Sequence, residues 1–448
     1  MKKINLFIGI TILSINTFAQ WVEQQVAISQ TGYFTGYFKD VEVVDANTVW
    51  ATIEYLNLQN VKVYNKHFAK TTDGGTTWKI DSINVTPSSL CISNIWPISA
   101  NVCYVAMYNN AVGADKGGIF KTTDGGTTWT KQTSAAFSGV NSFPDWVYFI
   151  NANDGVALGD PDGGYFEIYT TSNGGANWAR VPQANIPANV SAEYGSTNNF
   201  SHVGNHIWFA TTKGKVYHSA DNGLNWTSAN SGLPTVTESI DDIAFTDAQH
   251  GIVSKYNQLS RTNDGGATWN VIPHTGTFFT QDFDAVPGSD IYISSGQSPA
   301  TGYGTSYSND NGSTWQILDT ASATSNALHS GVDFLNTSVG YTGAFISFGL
   351  TTGAYKYNGT ILGVDDLKIS SNDFLKLYPN PAKNFMSFDV LVGENITVTI
   401  LDVLGNVVLK EGYSASNNTI NVSGLSNGIY TIALQTSKQS YVAKFAKE

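Results

Sequence analysis

The sequence predicts an all-β protein, built from a repeat domain and a smaller β-domain at its C-terminal end. A motif with the pattern Asp/Asn-Gly/Asn-Gly-x-Thr/Asn-Trp occurs six times, and successive copies start 43 to 51 residues apart. A repeat of this length indicates structural units that each bury one face against the next. Beyond the last repeat, short alternating apolar segments separated by Gly and Asn are typical of a compact β-sandwich.

Each copy of the motif, called a box below, has the residues of a tight turn between two strands. The Asp or Asn side chain can accept hydrogen bonds from backbone N–H groups about two residues further on. Gly supplies positive φ angles, and Trp can pack over the turn. Because the turn already uses the carboxylate, we interpret the boxes as structural; a calcium or ligand loop is the alternative. Their first and last residues are Asp73 and Trp78, Asp124 and Trp129, Asn173 and Trp178, Asp221 and Trp226, Asp264 and Trp269, and Asp310 and Trp315.

The boxes resemble the Asp-box, or bacterial neuraminidase repeat, of sialidase-type β-propellers, over roughly residues 21 to 361. In that family the box forms the turn between the third and fourth strands of a four-stranded blade. Two further strands are available upstream, as in Ile92–Ile98 with Val102–Tyr108 and in Ile240–Phe245 with Gly251–Lys255. The resemblance therefore implies a β-propeller domain.

The repeats predict seven blades, with six or eight as the alternatives. A seventh box would fall at Asn358, in Tyr357-Asn358-Gly359, where there is no Trp. The segment Trp21–Val26 stands before the first full repeat and is a candidate for the missing strand. An N-terminal strand that completes the last blade would close the ring and protect its edges. We therefore expect Trp21 to replace the absent seventh Trp.

The first residues have the pattern of a secretory signal peptide, with two lysines before an apolar run from Ile4 to Phe18 and then Ala19. We expect cleavage after Ala19 and no transmembrane segment, because no later apolar stretch is long enough to span a bilayer. The net charge of −12 and the two arginines of the chain argue against nucleic acid as a partner.

The two cysteines, Cys91 and Cys103, are the first candidates for a disulfide in an exported chain. If their segments form one hairpin, Pro97 faces Cys103, and Cys91 lies about 20 Å away at roughly 3.3 Å per residue. We therefore expect two buried thiols. Two cysteines are too few for a four-ligand zinc site, and we interpret His202 and His206 as structural or surface residues.

The tail resembles the type A C-terminal sorting domain of the type IX secretion system of Bacteroidetes. The residues that carry the resemblance are Tyr378, Pro379, Asn380, Pro381, Asp402, Gly405, Gly428 and Tyr430. It implies export by the type IX machinery and a location outside the cell or at the outer-membrane surface. The expected domains are a signal peptide at 1–19, the propeller at 20–361, a linker at 362–373 and the sorting β-sandwich at 374–448.

Sialidase activity is not expected. Sialidases of the family that the boxes resemble hold the substrate carboxylate with three arginines. This chain has two arginines, Arg180 and Arg261. Lysine replaces a bidentate arginine poorly. Both arginines are also expected on outer strands, away from the centre of the ring.

Acidic residues gather on the propeller face opposite the boxes. Asp160, Asp162 and Glu193 are the candidate acid/base residues of a glycoside hydrolase or lyase; alternatively, the two aspartates cap a turn and Glu193 is solvated. The candidate ligand-funnel residues are Asp145, Asp242, Asp282 and Asp284. The segments 159–165 and 186–194 also resemble single propellers related to photosystem II stability factors and to sortilin.

The leading hypothesis is a non-catalytic secreted or cell-surface propeller that binds a glycan or protein through its acidic funnel. It is motivated by richness in aromatic and amide residues and by the incomplete catalytic set. A hydrolase or lyase is the second hypothesis, and a structural matrix component is the third. No cofactor is expected; calcium bound by the same carboxylates is the alternative.

Overall fold

The computed structural model describes residues 21–26, 28, 33–57, 62–63, 66–111, 113, 115–233, 239–298, 301–320, 328–345, 353–359, 361, 376–389, 396–402, 407–413, 418–435 and 440–448. The expected signal peptide and linker lie outside these residues, as does Gly405 of the sorting motif. The chain divides into two compact units between Thr360 and Ile361.

The first unit is the seven-bladed β-propeller, with seven sheets in the described residues, each built on four antiparallel strands. The N-terminal strand β1 spans Trp21–Gln25. Blades 1 to 3 contain β2 Tyr33–Val43, β3 Val49–Asn57, β4 Lys62–Val63, β5 His67–Thr71 and β6 Lys79–Ser82; β7 Leu90–Pro97, β8 Cys103–Asn109, β9 Gly117–Thr122 and β10 Thr130–Lys131; and β11 Pro144–Phe149, β12 Gly155–Pro161, β13 Phe166–Thr171 and β14 Ala179–Arg180.

Blades 4 to 7 contain β15 Phe200–Val203, β16 His206–Ala210, β17 Lys215–Ser219 and β18 Thr227–Asn230; β19 Asp242–Phe245, β20 Gly251–Lys255, β21 Gln258–Thr262 and β22 Asn270–Ile272; β23 Thr275–Gly276, β24 Asp282–Ala285, β25 Tyr292–Ser298, β26 Gly302–Ser308 and β27 Thr314–Thr320; and β28 Leu328–Asn336, β29 Val339–Phe345 and β30 Gly353–Tyr357. A 3-10 helix, Gln183–Asn185, follows β14. No helix in the described part of the chain is long and apolar enough to cross a membrane.

Strand β1 closes the ring as the fourth strand of blade 7. It pairs antiparallel with β30, so that Trp21 lies opposite Tyr357. The Trp21 side chain is 3% exposed, its indole N–H donates to Thr305 Oγ1 in blade 6 at 2.8 Å, and its ring meets Phe334 edge-on at 5.8 Å between centroids. The prediction that Trp21 stands where the seventh box lacks its Trp is confirmed.

One hydrogen-bond network holds the box turns. In the first box, the Thr77 N–H and hydroxyl donate to the Asp73 carboxylate at 2.9 and 2.6 Å. The Gly75 N–H donates to Thr71 Oγ1 at 3.0 Å. The prediction that the carboxylate accepts an N–H about two residues further on is wrong. Gly74 and Gly75, with φ of 70° and 89°, turn the chain so that these N–H groups point away from the carboxylate. The residue four positions on faces it instead, and the other five boxes repeat this bond.

Adjacent blades pack through apolar clusters, and Cys103 belongs to one of these cores. One cluster joins Trp146 of blade 3 to Phe209 of blade 4. Pro97 lies opposite Cys103, and both Cys91 and Cys103 are free and buried, as predicted. Burial raises the pKa of both thiols, which therefore act as small core residues.

The second unit has two sheets around one core, as a β-sandwich requires. Buried side chains of both sheets, such as Phe388 and Val398, share a single apolar cluster. In one strand, Ile396, Val398 and Ile400 are buried while Thr397 and its neighbours on the other face are less so. The strands are β31 Lys376–Tyr378, β32 Phe385–Asp389, β33 Ile396–Leu401, β34 Val407–Tyr413, β35 Thr419–Asn421, β36 Gly428–Gln435 and β37 Ser440–Lys447, in the sheet orders β31-β32-β35 and β34-β33-β36-β37.

Two of the tail's motif residues fasten this sandwich. The Asn380 amide donates to the Lys444 carbonyl at 3.3 Å and accepts from the Ala446 N–H at 2.9 Å. The Tyr430 hydroxyl donates to the Ser426 carbonyl at 2.8 Å. The segment before β32 is thereby tied to the last strand. The other described motif residues are Tyr378, Pro379 and Pro381 in that segment, Asp402 after β33 and Gly428 at the start of β36.

Candidate functional site

The two faces of the propeller carry different loops. Box turns bond to the loops between first and second strands, as when the Gly74 N–H donates to Asn47 O at 2.9 Å and Gly125 to Asn101 O at 3.0 Å. The opposite face, called the upper face below, carries the starts of the first strands and the loops between second and third strands. The candidate acidic residues lie in or next to these upper-face segments, as the repeat pattern predicted.

A cavity of about 450 Å³ lies at the centre of the ring, lined by the first strands of six blades. Six carboxyl groups face it, from Asp40, Glu42, Asp242, Asp282, Asp284 and Asp333. Three of these were predicted, and the other three were missed.

Three funnel carboxylates connect the first strands of successive blades. The first strands of neighbouring blades belong to different sheets. Their backbone N–H groups that face the next blade therefore have no partner within a sheet and need another hydrogen-bond acceptor. A carboxylate of one blade accepts such an N–H from the next. These bonds run from Phe283 N to Asp242 at 2.9 Å, from Val332 N to Asp282 at 2.7 Å, and from Val43 N to Asp333 at 2.5 Å. They give the funnel aspartates a structural role.

The funnel carboxyls form two hydrogen-bonded pairs that share protons. Burial and the charge of Asp282 raise the pKa of Asp242 well above its usual range, whereas burial raises the pKa of Asp282 to about 6. Burial and the charge of Asp333 likewise raise the pKa of Asp284, and burial raises that of Asp333 to about 6. Within each pair the group with the higher pKa keeps its proton and donates it to the partner.

The stability of the propeller is expected to fall as the pH rises from about 4 to about 7. The folded pKa values of Asp282 and Asp333, about 6, exceed the unfolded value of 3.8, so the folded state binds more protons in this window. The loss is on the order of 3 kcal/mol from each of Asp282 and Asp333, and Asp242 and Asp284, whose pKa values are raised further, add to it. Thermal unfolding between pH 4 and pH 8 checks this: Asp282→Asn should flatten the profile, and an unchanged slope would contradict the shared-proton assignment.

Asp145, expected in the funnel, lies elsewhere. It is the extra residue of a bulge between Pro144 and Trp146, which turns it away from the cavity, and it is 2% exposed. Its Oδ2 has no hydrogen-bond partner among the described atoms. Asp160, also at a bulge, accepts the Gly195 N–H at 2.9 Å. Burial raises the pKa of Asp160 to about 7, and burial together with the Asp160 charge raises that of Asp145.

Glu193 is buried, so the alternative expectation that it is solvated is wrong. It is 1% exposed, and its carboxylate accepts the Thr211 hydroxyl at 2.9 Å and the Val190 N–H at 2.8 Å. The Lys215 ammonium lies 3.4 Å away, with its side chain 19% exposed. The structure therefore does not join Glu193 to Asp160 and Asp162 in one open site, and it gives Glu193 a structural ion pair.

The remaining predicted residue, Asp162, lies beside Arg180. Their charged groups are 3.9 Å apart, and the Arg180 guanidinium also donates to the Asp162 carbonyl at 3.1 Å. Arg261 donates to the Asn311 carbonyl from the third strand of blade 5. Both arginines lie on outer strands, as predicted, and neither lines the central cavity.

A second depression opens on the upper face, between blades 4 and 5. It has a volume of about 530 Å³ and is called the tyrosine cleft below; its lining residues are Ala192, Tyr194, Thr212, Lys213, Ser239, Asp241, Lys255 and Tyr256. The residues Tyr194 and Tyr256 are 48% and 61% exposed. Sequence reasoning missed this site, because its residues come from four separate loops.

The backbone of the tyrosine cleft is strained at two non-glycine residues. Ala192 and Tyr256 have φ of 56° and 52°, in the left-handed region. Tyr256 occupies the tip of the β20–β21 hairpin, where Asn or Gly would fit without strain. The Lys255 ammonium group lies 4.8 Å from the centroid of the Tyr256 ring, and such backbone strain tends to persist at functional sites. The cleft is therefore a stronger ligand-site candidate than the funnel.

Within the described residues, no group of three or more His, Cys, Asp or Glu side chains is placed to hold a metal ion. The Nδ1 atom of His206 lies 2.9 Å from Nε2 of His218. His202 instead stacks on Tyr148, with ring centroids 4.3 Å apart.

Comparison with known proteins identifies the tail. Residues 376–448 match the model of the secretion system C-terminal sorting domain. The predicted type IX sorting tail is thus confirmed, and it directs the protein to the cell surface or the extracellular space through the secretion machinery.

The propeller is similar to known propellers in fold. A YCF48 protein bound to a D1 peptide superposes with a TM-score of 0.52 at 14% identity, covering 77% of this chain and 96% of that one. YCF48 from Cyanidioschyzon merolae gives 0.51 at 17%, covering 75% and 99%. A probable oligoxyloglucan-reducing end-specific xyloglucanase of Neosartorya fischeri is 29% identical over 226 residues. That match covers 44% of this chain, which spans about a quarter of the relative (26%).

Proposed function

We propose that this secreted propeller is a non-catalytic protein that binds a glycan in the tyrosine cleft. The observation that carries the proposal is that two exposed tyrosines, Tyr194 and Tyr256, line one open depression, and one of them lies on a strained turn. Tyrosine combines a flat apolar face with a polar hydroxyl. A sugar ring offers the matching combination of a C–H face and a hydroxyl edge.

A binding function is favoured over glycoside hydrolysis because each candidate acid/base residue is already engaged by other protein groups. Glu193 is held by Lys215, Asp162 lies against Arg180, and Asp160 accepts a backbone N–H next to the buried Asp145. Glycoside hydrolysis needs two carboxyl groups that flank one open subsite. The similarity to a probable xyloglucanase supports a glycan as the ligand, without carrying that enzyme's activity to this chain.

The cleft is favoured over the central funnel. The funnel aspartates are engaged in joining blades 5, 6, 7 and 1, whereas the tyrosine rings of the cleft face solvent. A protein segment is the alternative occupant, because a propeller of similar fold is known with a bound peptide.

A glycan array probed with the purified protein tests the proposal. We expect saturable binding to at least one glycan, and a loss of affinity of roughly tenfold for Tyr256→Asn and for Tyr194→Ala, because aromatic contacts at the centre of a site carry much of its binding energy. Asn tolerates the backbone of residue 256, so this variant should keep the unfolding midpoint. Tyr378→Ala, which removes a ring of 46% exposure in the other unit, is the matched control. The absence of any glycan binding would contradict the proposal.

A further inference from the structure

We propose that the tyrosine cleft selects an acidic glycan, one that carries a carboxylate or a sulfate group, through the ammonium group of Lys213. This inference rests on the proposed glycan-binding function and adds the charge of the ligand. The ionic contacts of the three lysines in and behind the cleft support it.

Two of these lysines are neutralised by the protein. Lys215 is paired with Glu193 behind the cleft at 3.4 Å. Lys255, which is 5% exposed, donates to the Ser239 carbonyl and lies 3.6 Å from the Asp241 carboxylate. Neither ammonium group is therefore the first choice to receive a ligand.

Lys213 differs from both. It lies in the loop between β16 and β17, where its backbone N–H donates to Thr211 Oγ1 at 3.3 Å. Its half-buried side chain lines the cleft. Within the part of the chain that the structure describes, its ammonium group has neither an ion pair nor a hydrogen bond. It is thus a cation that lines the same depression as the two tyrosines, with its charge available to a ligand.

The carboxylate of the cleft does not compete for Lys213. Asp241 faces Lys255 and also accepts the backbone N–H of Tyr256. The charged groups that line the cleft are therefore two ammonium groups and one carboxylate, which leaves one net positive charge. This local charge is opposite in sign to the net charge of −12 of the whole chain.

The overall negative charge does not prevent binding of an anion here. Charges separated by more than about 8 Å are largely screened at physiological ionic strength. A short charge-assisted hydrogen bond between an ammonium and a carboxylate or sulfate is about twice as strong as a neutral one. The cleft thus combines stacking surfaces for a sugar ring with one donor for its acidic group.

Calorimetric titration of the full protein with matched oligosaccharides tests this inference. The probes are a galacturonic acid tetramer, its methyl ester, a sulfated galactose tetramer and the unsulfated tetramer. We expect at least one acidic probe to bind roughly tenfold more tightly than its neutral partner. Lys213→Gln should abolish this preference, Lys213→Arg should retain it, and added salt should weaken binding of the acidic probe to the wild type. Which acidic probe is preferred distinguishes carboxylate from sulfate.

Several outcomes overturn the inference while leaving the proposed function intact. These are equal affinity for acidic and neutral partners, binding of neutral probes alone, and an acidic preference that survives Lys213→Gln. If no acidic probe binds, the inference is also overturned, and the neutral glycans of the array then decide the proposed function separately. Tyr256→Asn separates the two claims further, because it should weaken acidic and neutral probes alike.

Discussion

Replacing Trp21 by alanine is expected to lower the free energy of unfolding of the propeller by about 3 to 5 kcal/mol, the usual cost of removing a buried tryptophan. The indole is 3% exposed and packs on Phe334 and Tyr357 of blade 7. It also donates to Thr305 of blade 6. The variant would leave a cavity where the two ends of the ring meet, as well as an unpartnered hydroxyl. Guanidinium denaturation followed by circular dichroism measures the loss.

Val22→Ala is the matched control for this prediction. Val22 follows Trp21 in the same strand, but its side chain is 43% exposed, so its truncation should cost less than about 0.5 kcal/mol. Similar, small effects for the two variants would mean that β1 does not close the ring in solution. A large loss for Trp21→Ala alone would support closure by the N-terminal strand.

Replacing Glu193 by alanine is expected to destabilise the propeller by about 3 to 5 kcal/mol, because it leaves the Lys215 ammonium without its partner in a largely buried site. The carboxylate also accepts two further hydrogen bonds, from Thr211 and Val190. The expected phenotype is therefore a lower unfolding midpoint. Circular dichroism melts of the purified variants measure it.

Two variants separate the ion pair from general damage. In the double variant Glu193→Gln with Lys215→Met, both charges are gone, and the loss should be smaller than the sum of the single variants. Asp162→Asn changes a carboxylate that is 26% exposed and 3.9 Å from its arginine, so it should cost under about 1 kcal/mol. If Glu193→Ala were as stable as the wild type but lost a measured hydrolytic activity, Glu193 would be an acid/base residue after all.

The fold was predictable because the residues that define it either interact within a short segment or are needed to cover an open sheet edge. Box turns such as Asp73–Trp78 carry their own hydrogen-bond partners within seven residues, so six copies define six blades. The role of Trp21 followed from the lack of a seventh Trp near Asn358 and from the need to close an open sheet edge. The tail was recognisable because Asn380 and its neighbours are a contiguous motif.

The candidate site was less predictable because its geometry is not local. Asp145 was expected in the funnel by its strand position, but a one-residue bulge turned it into the core. Glu193 pairs with Lys215, which lies one blade further along the chain, and strand periodicity does not indicate such a partner. Tyr194 and Tyr256 come from loops of two neighbouring blades, so only the assembled ring places them in one depression.

The claim that a glycan binds in the tyrosine cleft can be tested by hydrogen–deuterium exchange with and without a glycan selected on the array. We predict slower exchange on binding in the peptides that contain Tyr194, Thr212 and Tyr256, whose backbone N–H groups lie at the cleft. The funnel strands β24 and β28 should be unchanged. Protection confined to those funnel strands, with none at the cleft, would contradict the claim and place the ligand at the centre of the ring.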